Sequence, residues 1–116
     1  MILDPGENLL IVHRRLFERD HSRFFVGKIE DYEDGIARLS GYSFARDSND
    51  GNYCRKHERH TRLFSIASGT LMIYCIPADV DIDRVKMVSG DMGLSLTDGA
   101  SFTMNMSEWI HNYPTQ

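Results

Sequence analysis

The stretch Arg23-Phe24-Phe25-Val26-Gly27-Lys28-Ile29-Glu30-Asp31-Tyr32, the turn Glu33-Asp34-Gly35, and the return Ile36-Ala37-Arg38-Leu39-Ser40-Gly41-Tyr42-Ser43-Phe44-Ala45 decide the fold. Aromatic and β-branched residues alternate with polar ones on both sides of an Asp-Gly pair, which is the pattern of a β-hairpin. Two registers compete. A two-residue Asp34-Gly35 loop sets Ile29 opposite Ser40 and Tyr32 opposite Ala37. A three-residue Glu33-Asp34-Gly35 loop sets Ile29 opposite Leu39, Gly27 opposite Gly41 and Glu30 opposite Arg38. The second stacks apolar on apolar and pairs opposite charges, so it is the expected one. It also places Gly35 at the left-handed bulge position.

The same logic applies at Thr97-Asp98-Gly99. A three-residue loop there sets Leu94 opposite Phe102 and Met92 opposite Met104. Between and before these hairpins run further short alternating segments separated by turn clusters. Strands are expected over about Leu9 to Phe17, Arg23 to Tyr32, Ile36 to Ala45, Thr61 to Ala67 and Thr70 to Ile76, with a break at Ser68-Gly69. A polar loop is expected from Arg46 to His60, a turn or single helical turn over Pro77 to Asp83, and a hairpin over Met92 to Met106. The tail from Ser107 suits a short helix with Ser107 as its cap. Leu71 to Ile76 is apolar on both faces, so a central or doubly covered strand is expected.

A chain of 116 residues reads as one domain, large enough to bury a core without disulfide staples. Two cysteines, Cys54 and Cys75, are too few for a disulfide scaffold. Cys75 alternates with Leu71 and Ile73 and is expected to be a buried small hydrophobe. Leu9 to Val12 is too short an apolar run for a signal peptide, and acidic Asp4 and Glu7 precede it. No run approaches the roughly 20 apolar residues of a membrane span. The expectation is a cytoplasmic protein without membrane partners. A net charge of −4 argues against indiscriminate coating of nucleic acid, though not against a local basic patch.

The order of elements resembles the Sm-like family of small β-barrels. Phe25-Val26-Gly27-Lys28-Ile29, followed by Tyr32 and Glu33, is similar to the first Sm motif. Ser68-Gly69 running into Leu71-Met72-Ile73-Tyr74-Cys75-Ile76-Pro77 is similar to the second. The resemblance covers Leu9 to Pro77, with Met1 to Asn8 where that family carries an N-terminal helix. It implies an all-β fold: a small, strongly bent, five-stranded Sm-like barrel to which residues 78–116 add a turn, a C-terminal β-hairpin and a tail. It also implies a homo-oligomer, such as a ring, joined through the edges of the fourth and fifth strands. This chain departs from the family where RNA is held. Glu33 stands where the family has an aspartate, no asparagine follows, and Ser68 replaces an arginine. The resemblance therefore speaks for fold and assembly more than for RNA.

The most unusual segment is Cys54-Arg55-Lys56-His57-Glu58-Arg59-His60-Thr61-Arg62. Arg55, Lys56, Arg59 and Arg62 face a single acid, and Tyr53 adjoins them. These five residues, with Tyr53 as a stacking platform, are the candidate nucleic-acid contacts. The opposing reading is a solvated loop balancing acidic surface elsewhere. Cys54, His57 and His60 recur at intervals of three and are weak zinc candidates, lacking a fourth ligand and a paired C-x-x-C. No metal or cofactor is expected. Asp79, Asp81 and Asp83 lack the glycine and terminal glutamate of a calcium loop. Arg19 and Arg23 have the spacing of a nucleotide-binding barrel without its companion motif. No catalytic signature is present, so a non-enzymatic module is expected. Met87, Met92, Met104 and Met106 suit core filling or an adaptable subunit interface, with Trp109 as an anchor. The alternative is a stand-alone β-barrel or sandwich whose core takes a small apolar ligand.

Overall fold

The computed structural model describes residues 3–13, 23–46, 53–90 and 93–106. Expectations that fall on 14–17, Met92 and the tail from Ser107, Trp109 included, lie outside the described residues. The strands are β1 (Asn8–His13), β2 (Arg23–Glu33), β3 (Ile36–Arg46), β4 (Tyr53–Arg55), β5 (His60–Ser65), β6 (Leu71–Ile76), β7 (Lys86–Gly90), β8 (Gly93–Thr97) and β9 (Thr103–Asn105). One 3₁₀ turn, Ile82–Arg84, precedes β7. The fold is all-β, with every pairing antiparallel. Among the described residues no helix is long and apolar enough to cross a membrane. Leu3 to Glu7 forms a turn rather than the helix expected of the Sm-like family.

Six strands make the first sheet, in the order β4-β3-β2-β1-β6, with β5 also paired to β3. β4 takes Phe44 to Arg46 of β3, and β5 takes Ile36 to Gly41. Tyr53–Arg55 was expected within a polar loop. It becomes a strand because Tyr53 is apolar enough to bury, which draws the adjacent backbone onto the end of β3. β7, β8 and β9 form a second, three-stranded sheet.

The first sheet is buried on both faces, with a separate cluster on each. On one, Leu10, Val26, Phe44 and Ile76 pack with Val85, Leu96 and fully buried Met106 of the second unit. On the other, Leu9, Ile11, Phe25 and Leu39 are covered by the sheet's own curl. Phe64 of β5 and Leu71 and Ile73 of β6 approach this same cluster from opposite edges. The curl turns on Gly27 and Gly41, which pair across β2 and β3. A Cβ on Gly41 would lie 2.0 Å from the Val26 carbonyl oxygen and 2.5 Å from the Gly27 Cα. Only glycine permits the backbones to come this close.

The curl does not close into a barrel. β5 pairs only with β3 and β6 only with β1 among the described residues, so the sheet keeps two edges. This corrects the expectation of a barrel and the expectation that Leu71–Ile76 is central or covered on both sides. β6 is an edge strand despite its apolar sequence. Cys75 is exposed rather than buried, and among the described residues β6 has no second neighbour to cover it.

The β2–β3 hairpin combines part of each register, which corrects the expected three-residue Glu33-Asp34-Gly35 loop and the direct Glu30–Arg38 pairing. Next to the turn, Tyr32 faces Ala37 and Glu33 faces Ile36, so the loop is the two residues Asp34 and Gly35. Both have positive φ, +50° and +81°, as a type I′ turn requires. Beyond a bulge at Glu30, Ile29 faces Leu39 and Gly27 faces Gly41. The extra residue is thus present but is Glu30, upstream on β2, rather than a residue of the turn. Arg38 pairs across from Asp31 and reaches both Glu30 (3.2 Å) and Asp31 (3.8 Å).

The C-terminal hairpin keeps the expected face but not the register. Leu96, not Met92, faces Met104. The loop widens because the Asp98 carboxylate accepts the backbone N–H groups of Ala100 (2.8 Å) and Phe102 (3.1 Å). The shift is an even number of residues, so the apolar set still points inward. Gly99 has φ +78°. Behind the sheet, the Asn8 side chain donates to the carbonyls of Pro77 (3.2 Å) and Val80 (3.0 Å), pinning the 77–80 turn to β1.

Candidate functional site: the basic segment and the cationic end of the sheet

The residues singled out in the basic segment separate into two groups. Three of the five candidate contacts are committed to the fold. Tyr53 is only 7% exposed, its ring edge-on to Phe24 at 5.1 Å, which leaves no face for a base. Burial also pushes its hydroxyl pKa up. Arg55 lays its guanidinium over the Tyr42 ring at 4.3 Å and donates to the Asp83 carbonyl at 2.5 Å. Arg59 pairs with the Asp83 carboxylate at 2.9 Å and donates to the Ser40 hydroxyl at 2.8 Å. Of the candidate contacts, Tyr53 is thus buried against Phe24, and Arg55 and Arg59 are engaged with Asp83.

These contacts form a clasp centred on Asp83. Its carboxylate accepts from the Tyr42 hydroxyl at 2.6 Å as well as from Arg59. The Tyr42 hydrogen bond first, then the nearby guanidiniums, hold the Asp83 carboxyl below the usual carboxylate range. The same bond raises the Tyr42 hydroxyl. Asp81 caps the 3₁₀ turn, its carboxylate accepting from the Asp83 N–H at 3.0 Å. Asp81 and Asp83 thus serve the local fold, and the clasp ties the start of the second unit to β3 and to the β4–β5 connection.

Cys54 and His57 are exposed, whereas the ring nitrogens of His60 lie 3.2 Å from the Ser43 hydroxyl and 3.2 Å from the Glu58 carbonyl. Among the described residues no three His, Cys, Asp or Glu side chains come together so as to hold a metal ion. The weak zinc candidates Cys54, His57 and His60 do not converge.

Lys56 and Arg62 remain exposed. Lys56 stands apart, but Arg62 belongs to a cluster that the sequence reading did not identify. Strand alternation puts His13, Arg23, Phe25, His60, Arg62 and Phe64 on one face, and the curl of the sheet brings the β5 residues to Phe25. His13 pairs directly with Arg23, and Arg62 lies two residues from both His60 and Phe64 on β5. The Phe25 ring is the hub. It contacts the His60 ring at 5.6 Å and Phe64 at 5.1 Å, and the Arg62 guanidinium stands 6.0 Å from its centroid. His13 lies 6.2 Å from Phe64. Partial burial, then Arg23, then Arg62 push the His13 imidazole below its ordinary pKa. The available signal was the alternation of His13 with Leu9 and Ile11, which places it on the face of the sheet that Phe25 occupies.

Comparison with protein-family models, with curated proteins and with solved structures finds no match to this chain.

Proposed function

We propose that this chain is a non-enzymatic assembly module of Sm-like type, whose copies join edge to edge, β5 of one against β6 of the next. The observation that carries the reading is β6 itself. It is an edge strand of six residues, Leu71 to Ile76, with no charge, proline or glycine. Monomeric proteins blunt such edges with lysine, proline or a covering element, because unpaired N–H and C=O groups template further pairing. Here Met72 is 40% exposed beside them. The opposite edge, β5, carries Leu63 at 68% exposure. Joining the two edges in register would pair both backbones and cover both side chains. The Gly27–Gly41 bend supports the strongly bent sheet that the Sm-like reading needs.

The test is the double variant Leu63→Lys with Met72→Lys. Both side chains are exposed, so the fold should persist by circular dichroism. Lysine at each edge should release monomers in sedimentation velocity. Equal sedimentation of wild type and variant, with both folded, would defeat the reading.

A further inference from the structure

We propose that the end of the sheet formed by His13, Arg23 and Arg62 binds phosphate. The site is built on three different strands: the ladder pairs His13 of β1 with Arg23 of β2, and the curl of the sheet brings β5 to Phe25, with the Arg62 guanidinium 6.0 Å from that ring. Three other arginines, Arg38, Arg55 and Arg59, give a contrast. Arg38 and Arg59 have carboxylate partners, and Arg55 is bound to carbonyls. Arg23 and Arg62 have no ion-pair partner among the described residues, and both act electrostatically on the same imidazole. In a chain of net charge −4, two arginines stand beside one histidine with no carboxylate paired to them among the described residues, a repulsion left uncompensated there. A bound anion removes it.

The ligand class follows from charge and geometry. Two guanidiniums and an imidazole that gains a proton match a phosphate dianion, whereas a single carboxylate is matched by one guanidinium. The buried Phe25 and Phe64 rings beneath the cluster limit the water that would screen it. His60 is a bracing residue here. Its ring nitrogens are engaged with Ser43 and Glu58, and it steadies Phe25 from the side. This inference does not depend on assembly, and it replaces Tyr53, Arg55 and Arg59 as the place to look for an anion. Two sources offer the same chemistry, a free phosphate compound and the backbone of a single-stranded nucleic acid.

The experiment is an NMR pH titration of the His13 imidazole at low ionic strength, run alone, with inorganic phosphate, and with an oligouridylate. Wild type and the variants Arg23→Gln, Arg62→Gln and Lys56→Gln are compared. Phosphate should raise the His13 pKa, because an anion favours the imidazolium. Each of Arg23→Gln and Arg62→Gln should weaken phosphate binding about tenfold, and Lys56→Gln should leave it unchanged. A free phosphate compound is the source if the oligouridylate binds no tighter than phosphate. The nucleic-acid backbone is the source if the oligouridylate binds tighter, with affinity falling by a log–log salt slope of about 0.7 per phosphate engaged. The proposal is overturned if neither anion moves the His13 titration, or if both move it equally in the Arg23→Gln, Arg62→Gln double variant.

Discussion

Replacing Gly41 by alanine should be among the most damaging single-methyl changes in the first sheet. The added Cβ would sit 2.0 Å from the Val26 carbonyl oxygen, 2.5 Å from the Gly27 Cα and 2.8 Å from the Val26 carbonyl carbon. All three are backbone atoms, so no rotamer change relieves the overlap. The nearest approach falls 1 Å short of the 3.0 Å that real Cβ atoms keep, and β2 must move away by about that distance. Overpacking of this kind costs about 1–3 kcal/mol, and each ladder hydrogen bond lost as the strands part adds about 1 kcal/mol. The reduced entropy of the unfolded chain offsets at most about 1 kcal/mol. The expected loss is about 3 kcal/mol, or roughly 10–15 °C in Tm, measured by urea and thermal denaturation. Gly27→Ala should cost less, because its closest neighbour at 2.7 Å is the Phe25 ring edge, a side-chain atom. Gly69→Ala, with nothing within 4 Å, should be neutral or stabilising by up to about 1 kcal/mol. A Gly41→Ala protein as stable as the Gly69→Ala protein would refute the claim that the sheet bends by backbone contact at this pair.

Gly35→Val and Gly99→Val should each destabilise by about 1 kcal/mol or more, since φ is +81° and +78° there and a β-branched residue resists that region; equilibrium unfolding checks it, and unchanged midpoints would count against the turn geometry. Asp83→Asn should lower Tm near neutral pH, by a difference that shrinks as pH falls below about 3.9. The sign follows from the folded-state carboxyl, which titrates below its unfolded value. Its contribution is therefore complete above the unfolded pKa of about 3.9 and disappears as pH falls through the lower folded one. A Tm difference that does not shrink at low pH would show that the Tyr42–Asp83–Arg59 clasp does not act through the carboxylate charge.

The central hairpin was legible because alternation on both sides of an Asp-Gly pair marks one, although the charge match favoured a three-residue loop that the structure does not have. The bulge at Glu30 was not, since Glu30 is exposed and either register leaves its side chain in water. β4 is three residues inside a polar stretch, too short for any period to show. The partners of the basic segment were not legible for a different reason. Composition reports how many cations a segment holds but not which partners the fold brings, and Asp83 lies 24 residues from Arg59. The His13–Arg23–Arg62 cluster was hidden for the same cause. His13 and Arg23 become neighbours only through a strand register, and Arg62 arrives through a third strand. Apolar content made β6 look central, although hydrophobicity alone does not distinguish a strand buried by its own sheet from one buried by another copy.

The mass of the unmodified chain in solution tests that last distinction most directly. Light scattering on the eluting peak of a size-exclusion column, over a micromolar concentration series, should give a discrete multiple of the 13.3 kDa chain. A clean 13.3 kDa monomer across the series would contradict the account, leaving β5 and β6 as edges that no second copy covers.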